Sequence, residues 1–254
     1  MKRYLARNWL PIVALPLSSM IIGTTLAIAD FKVKPSVVLV LFFTAFVLKM
    51  VSVVRENKAR FSTENKYKAA LWASVLLFLG LAVLLVYLSY GSLWCLDAFV
   101  FLLLGYFFLR TALFPVSRPI YLDAIYTISL YGPLAVVCAY MLCAHTITGW
   151  HLLLPAFAIG FLVAAAKDVV KPLYHTLLIV AGFVYMIISA SYRIFDLYHF
   201  LFLLSLPLFI VHLVRYWREP KPSKLLIWSI LLFAILSGIG YLLFPLFGVS
   251  AIIF

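Results

Sequence analysis

The chain has 254 residues, of which 67% are apolar and 11% are charged. A soluble domain holds about 45–50% apolar and about 25% charged residues, so no soluble fold of this length can bury the surplus. The net charge of +12 does not indicate nucleic acid here, because the basic residues lie in short segments between apolar runs. The composition predicts one integral membrane domain, residues 1–254, without a nucleic-acid partner.

Nine apolar segments are candidates for transmembrane helices, which need about 20 mostly apolar residues each. The first follows a basic N-terminus and is too long for the core of a signal peptide. The sixth and seventh are separated by Lys167, Asp168, Lys171 and Pro172, because a helix rarely continues through a proline preceded by charges. The nine segments are Trp9–Ala29, Ser36–Val54, Ala69–Tyr90, Leu93–Leu113, Leu122–Ala144, His151–Ala166, Leu173–Ser191, Leu197–Trp217 and Leu225–Val249.

The distribution of basic residues orients these segments. With a cytoplasmic N-terminus, 17 Lys and Arg residues fall in cytoplasmic segments and three, Lys32, Lys34 and Arg193, fall outside. Such a bias follows the positive-inside rule, and merging the sixth and seventh segments would spoil it. We therefore expect an all-α bundle of nine transmembrane helices, with the N-terminus in the cytoplasm and the C-terminus outside.

Five stretches in a fixed order give the chain a likeness to a known family. They are Leu15–Ala27, Leu104–Phe107 with Pro115 after it, Leu130–Val136, Ile147–Trp150 and Leu154–Gly160. Together with the nine predicted helices, they resemble the UbiA superfamily of membrane prenyltransferases, and most closely its menaquinone branch, 1,4-dihydroxy-2-naphthoate prenyltransferase. The resemblance implies a UbiA-like bundle in a bacterial cytoplasmic (inner) membrane, with a central cavity for an isoprenoid or quinone-type lipid.

The resemblance also implies a chemistry. The family moves an isoprenyl group from a diphosphate to an aromatic acceptor, and Mg²⁺ held by carboxylates assists the departure of the diphosphate. Its two acidic motifs, Asn-Asp-x-x-x-Asp and Asp-x-x-x-Asp, follow the second and sixth helices. Here Lys49 stands about where the first aspartate of the first motif should be, and Glu56 is the only acid in that stretch. The second motif keeps Asp168 alone, because Lys171 and Pro172 stand where its second aspartate belongs.

Too few carboxylates remain at these positions for two Mg²⁺ ions, and the neighbouring cations would repel such ions. The hypothesis is a degenerate member, a pseudoenzyme without a cofactor, that binds an isoprenoid or quinone-type lipid. Direct binding of a diphosphate or lipid headgroup by cations would replace the metal. The candidates are Lys49, Arg55, Lys167, Lys171, the remnant acid Asp168, and a rim of Arg110 and Arg118. Each of these cations could instead be a snorkelling, ion-paired or positive-inside residue.

Two other functions stay open at this point. One is an active polyprenyl transferase with a rearranged acid set, which would need Mg²⁺. The other is a small transporter or membrane assembly factor with a membrane protein partner. A transporter is expected to carry ionisable residues at mid-span, and the predicted helices are nearly free of them.

Among the five histidines, His199 with Asp196 fits the spacing of an Asp-x-x-His ligand motif, but no second copy exists to complete a metal site. His145 and His151 flank a predicted outer loop. Asp196 and His199 are three residues apart, on one face of a helix, and predict a hydrogen-bonded pair at the outer interface. His175 and His212 belong to no motif.

Overall fold

The computed structural model describes residues 2–30, 80, 84, 87, 120–144, 152–167, 171–192, 197–221 and 223–247. Every regular element within these residues is a helix. The helices are α1 (Lys2–Asp30), α2 (Ile120–Ser129, Leu130–Leu134 and Ala135–Ala144 in one rod), α3 (Leu153–Lys167), α4 (Pro172–Tyr192), α5 (Leu197–Ser205 continuing as Leu206–Arg218) and α6 (Lys224–Phe247).

Four of these helices are long and apolar enough to cross a membrane. The crossing segments are Ala124–Met141 in α2, Pro172–Ser191 in α4, Tyr198–Arg218 in α5 and Lys224–Leu243 in α6. A helix pairs its backbone N–H and C=O groups internally, as the hydrocarbon of a bilayer requires. The chain is therefore a helical membrane protein, and its described part is all-α.

Six of the nine predicted segments, the first and the fifth to the ninth, coincide with described helices. The predicted break between the sixth and seventh is confirmed, because α3 ends at Lys167 and α4 begins at Pro172. A proline suits the first turn of a helix, where a backbone N–H would have no partner. The predicted segments Ser36–Val54 and Leu93–Leu113, and nearly all of Ala69–Tyr90, lie outside the described residues.

Neighbours in sequence are also neighbours in space over most of the described bundle. α2 contacts α3, α3 contacts α4, and α5 contacts α6, the last chiefly through Leu197–Ser205. α1 lies between α2 and α6, so the two helices nearest the chain ends are side by side. The side chains at these contacts, such as Ile22, Tyr140, Ile159 and Phe233, are fully buried.

Two glycines let the backbones of α2 and α3 touch. A Cβ added to Gly132 would stand 2.5 Å from the carbonyl oxygen of Ala156 and 3.2 Å from Cα of Gly160. A Cβ added to Gly160 would stand 2.6 Å from the carbonyl oxygen of Ile128. Small residues of this kind give membrane helices the close packing that replaces the hydrophobic effect in lipid.

The same contact lies on an irregular turn of α2. Pro133 has no N–H to donate, and its ring crowds the carbonyl one turn earlier. The turn Leu130–Leu134 widens to π geometry, and Gly132 leaves helical geometry at φ −89° and ψ −105°. Most π geometry in proteins occurs in this form, as a single turn inside an α-helix.

Replacement of Gly160 by alanine is expected to lower the free energy of unfolding by about 1–3 kcal/mol, because the added methyl group overlaps a backbone oxygen that cannot rotate away. Unfolding of the purified protein in mixed micelles by added SDS measures this change. Gly80→Ala is the matched control, since a Cβ at Gly80 meets no described atom within 4 Å. Equal stabilities for the two variants would contradict the packing role of Gly160.

Candidate functional site

The predicted anion-binding residues lie mostly outside the part of the chain that the structure describes. This holds for Lys49, Arg55, Arg110, Arg118 and Asp168. Their convergence on one site therefore stays a prediction.

Two further predicted residues lie at the ends of described helices. Lys167 is the last residue of α3, and its backbone position is described. Lys171 is exposed and directly precedes α4, where its carbonyl oxygen accepts a hydrogen bond from the N–H of His175 at 3.0 Å. The structure thus places one predicted cation, Lys171, one helical turn from a histidine for which the sequence suggested no role.

That histidine forms a buried polar contact between two membrane-crossing helices. Nε2 of His175 in α4 lies 2.8 Å from Nε2 of His212 in α5, which is hydrogen-bond distance. Each residue is only 1% exposed. The contact joins the first turn of α4 to the C-terminal half of α5, so the two helices run antiparallel there.

Aromatic rings position the pair. The ring of Tyr216 stacks on the imidazole of His175, with centroids 3.9 Å apart and planes inclined by 14°. Tyr216 lies one turn beyond His212 on α5 and its ring is tilted by 43° to that imidazole. One side of the His175 ring is therefore covered by a flat partner, which fixes its orientation toward His212.

A second hydrogen bond joins the same ends of α4 and α5. The indole N–H of Trp217 donates to Oγ1 of Thr176 at 3.0 Å, and that hydroxyl donates to the carbonyl oxygen of Pro172 at 2.8 Å. Trp217 is more than half exposed, whereas the histidines are buried. The contact between α4 and α5 thus has two neighbouring polar parts, the exposed bond of Trp217 to Thr176 and the buried contact of His175 with His212.

On the other side of the pair the interface becomes apolar. Phe183 of α4 meets Phe209 of α5 edge to face at 5.1 Å, two turns and one turn from the respective histidines. Phe233 of α6 meets Phe183 in the same way at 5.3 Å. Edge-to-face pairs of this kind stabilise a core beyond the burial of their area.

The hydrogen bonding of the pair is incomplete. One imidazole must donate Nε2–H while the other accepts with a bare Nε2. When both rings are neutral, this leaves one bare Nδ1 and one Nδ1–H. Within the described part of the chain, Nδ1 of His175 and Nδ1 of His212 have no hydrogen-bond partner. A buried polar atom left unpaired costs about 1–3 kcal/mol, so the pair combines one interhelical bond with two unmet ones.

His199, for which the sequence predicted a bond to Asp196, is also buried. Its ring meets Tyr241 of α6 edge to face at 5.7 Å. Asp196 lies outside the described residues, as do His145 and His151, so the predicted pair at the outer interface stays a prediction. The described residues contain no group of three or more His, Cys, Asp or Glu side chains that could hold a metal ion.

No protein-family model matches the chain, and no curated protein matches it.

Removal of either ring of the pair should destabilise the protein, because the remaining imidazole keeps a buried nitrogen without a partner. In a double-mutant cycle of His175→Ala and His212→Ala, we expect a coupling energy of about 0.6–1.7 kcal/mol, as for other hydrogen bonds between membrane helices. SDS-induced unfolding measures all four proteins of the cycle.

The control cycle combines His175→Ala with His199→Ala. These two residues share no recorded contact in the described part of the chain, so their effects should add within about 0.5 kcal/mol. Additive effects in the first cycle as well would show that the 2.8 Å contact contributes nothing to stability.

Proposed function

We propose that this chain is a UbiA-like membrane protein that binds an isoprenoid or quinone-type lipid without Mg²⁺-dependent prenyl transfer. The connection between α3 and α4 carries the proposal. In the sequence, residues 168–171 stand between the bounds of the two helices, and Asp168 is the single carboxylate among them. Two Mg²⁺ ions on a diphosphate need several carboxylate oxygens, and this connection offers one acidic side chain beside Lys171.

The packing of the described helices supports the UbiA-like part of the proposal. The stretches Leu130–Val136 and Leu154–Gly160, which carry the resemblance, meet at the backbone contact of Gly132 and Gly160. Successive helices are in contact, and α1 lies against α6. In the proposed bundle of nine helices, the three predicted segments between α1 and α2 complete this arrangement.

In this proposal, lysine and arginine side chains bind the diphosphate or headgroup directly, in place of Mg²⁺. Lys49, Arg55, Lys167 and Lys171 lie in segments that the proposed topology assigns to the cytoplasmic side, and Arg110 and Arg118 add a rim there. Ammonium and guanidinium groups form charge-assisted hydrogen bonds to phosphate oxygens without any ion between them. Such a site holds a charged headgroup but supplies little of the electrophilic assistance that breaks a prenyl–oxygen bond.

A transporter is the second candidate function, and the burial of the histidine pair favours it, although the pair lies near helix ends and not at mid-span. His175 and His212 are ionisable residues buried in two membrane-crossing segments. Residues of this kind inside a membrane domain often belong to ion or proton pathways.

The lipid proposal predicts that native mass spectrometry after mild extraction finds a polyprenyl or quinone-type lipid bound to the purified chain. Lys171→Ala is expected to weaken the binding of an added polyprenyl diphosphate by about tenfold, the effect of one charge-assisted hydrogen bond. Lys221→Ala is the matched control, because Lys221 is an exposed lysine on the same side that pairs with Glu219. A chain that carries no lipid and conducts ions in liposomes would favour the transporter instead.

Absence of turnover is the second expectation. Purified protein with Mg²⁺, several polyprenyl diphosphates and aromatic acceptors should form no prenylated product. Sustained turnover that Asp168→Ala abolishes would overturn the pseudoenzyme proposal and establish the prenyltransferase with a rearranged acid set.

The proposed topology is nine helices in a bacterial inner membrane, with the N-terminus in the cytoplasm and the C-terminus outside. Alkaline phosphatase fused after Phe254 should be active, because the enzyme folds only outside the cytoplasm, and green fluorescent protein fused there should be dark. The opposite result would place the C-terminus in the cytoplasm and contradict the proposed topology.

A further inference from the structure

The proposed lipid site does not include the contact between His175 and His212, so the chemistry of this contact needs its own explanation. A metal ion does not fit it. Two bonds of about 2.0–2.1 Å at a tetrahedral angle hold two nitrogens about 3.3 Å apart, wider than the 2.8 Å found here. Among the described residues no third ligand joins the pair, and no carboxylate is there to offset the charge of a dication.

A lipid headgroup or other organic molecule does not fit the pair either. Both histidines are 1% exposed, and Tyr216 covers one ring. The species that can reach these nitrogens without moving a helix is the proton. The number of protons on the two rings decides whether the contact can exist.

We propose that the contact of His175 with His212 is a proton-operated latch between α4 and α5. With two protons, one on each ring, a single Nε2–H···Nε2 bond closes it. A third proton leaves that bond in place but puts a positive charge in a buried layer. A fourth places N–H groups on both Nε2 atoms, where they repel each other and the contact cannot persist.

The direction of the pH effect follows from proton linkage. The open pair can bind up to four protons in contact with water, whereas the closed pair must keep one Nε2 bare. The open state therefore binds more protons, and acidification favours it. The latch is closed at neutral and alkaline pH and opens as the pH falls.

The charged groups near the pair also disfavour its protonation in the closed state. Tyr216 is the titratable side chain in ring contact with both histidines. At the same helix ends, Lys171 before α4, Arg215 and Arg218 of α5, and Lys224 of α6 are exposed, while Glu219 is paired with Lys221 between α5 and α6. The excess of cations disfavours a further positive charge on the closed pair. The structure describes only the backbone of Lys167, the charged residue that ends α3.

Separation of α4 from α5 can be detected at a hydrogen bond close to the histidine pair. Trp217 and Thr176 form the neighbouring contact of the same interface: Thr176 directly follows His175 on α4, and Trp217 lies five residues after His212 on α5. When the helix ends separate, the indole N–H of Trp217 loses the hydroxyl of Thr176 and bonds to water. Trp228 of α6 is equally exposed and takes no part in this hydrogen bond, so it serves as an internal reference.

The test is ¹⁹F NMR of the full chain in lipid nanodiscs, labelled with 5-fluorotryptophan. The Trp217 resonance is assigned by its loss in Trp217→Phe. Between about pH 8 and about pH 4, the range in which histidine titrates, we expect this resonance to move to a second position in one transition while that of Trp228 stays in place. No movement of the Trp217 resonance would overturn the proposal.

Glutamine variants connect the transition to the pair. In His175→Gln or His212→Gln, the amide can donate to or accept from the remaining imidazole in either protonation state, so the contact no longer depends on pH. Both variants should lose the transition, and His199→Gln, which changes a buried histidine outside the pair, should keep it. A transition that persists in either pair variant, or disappears in His199→Gln, would overturn the proposal.

A measurement on the unaltered chain covers the case in which a glutamine variant fails to fold. Amide hydrogen exchange, corrected for its intrinsic pH dependence, is compared in the first turns of α4, the last turns of α5 and the middle of α6. Faster exchange at low pH that is confined to the two helix ends supports the latch. A uniform change, or none, overturns it.

Discussion

Hydrocarbon offers no hydrogen bonds, and this constraint governs the polar groups of the bundle. Hydroxyl groups meet it inside their own helix: Ser18, Ser229 and Ser237 each donate to the carbonyl oxygen one turn earlier, at 2.7–2.8 Å. An imidazole has two nitrogens on opposite sides of a ring and cannot be satisfied by one such carbonyl. His175 and His212 therefore pair across the interface, and α4 and α5 acquire a buried polar contact between the exposed bond of Trp217 to Thr176 and the apolar contact of Phe183 with Phe209.

The described helices could be predicted because a segment that lies in hydrocarbon must be apolar, and apolar runs are visible in the sequence. Long apolar runs mark α2, α4, α5 and α6, a shorter one marks the second half of α1, and Pro172 marks the start of α4. The π turn of α2 could not be predicted in the same way. Gly132 and Pro133 signal an irregularity, but its form depends on Gly160 of another helix, and hydropathy says nothing about which helices touch.

The two candidate sites also differ in how far the sequence could predict them. The resemblance to a known family identified the positions where acidic residues are expected. The sequence then showed that acids are missing beside Asp168 and that a lysine stands at position 49. The histidine pair has no such signature, since its members are 37 residues apart. Part of a signal exists: His175 continues the buried stripe of Leu178 and Phe183 in α4, and His212 continues that of Phe209 in α5. Periodicity could place both histidines inside the bundle, but only the pairing of the two helices brings them together.

The backbone contact of α2 with α3 has a genetic consequence. Atoms that a side chain contributes can be removed by a second substitution: at Gly182 the obstacle to a larger residue is chiefly the side chain of Leu162, which a smaller residue would clear. At Gly160 the obstacles are the carbonyl of Ile128 and the Cα of Gly132, which every amino acid possesses. A selection for suppressors should therefore recover compensating changes for a defect at 182, while a defect at 160 should yield little except reversion to glycine.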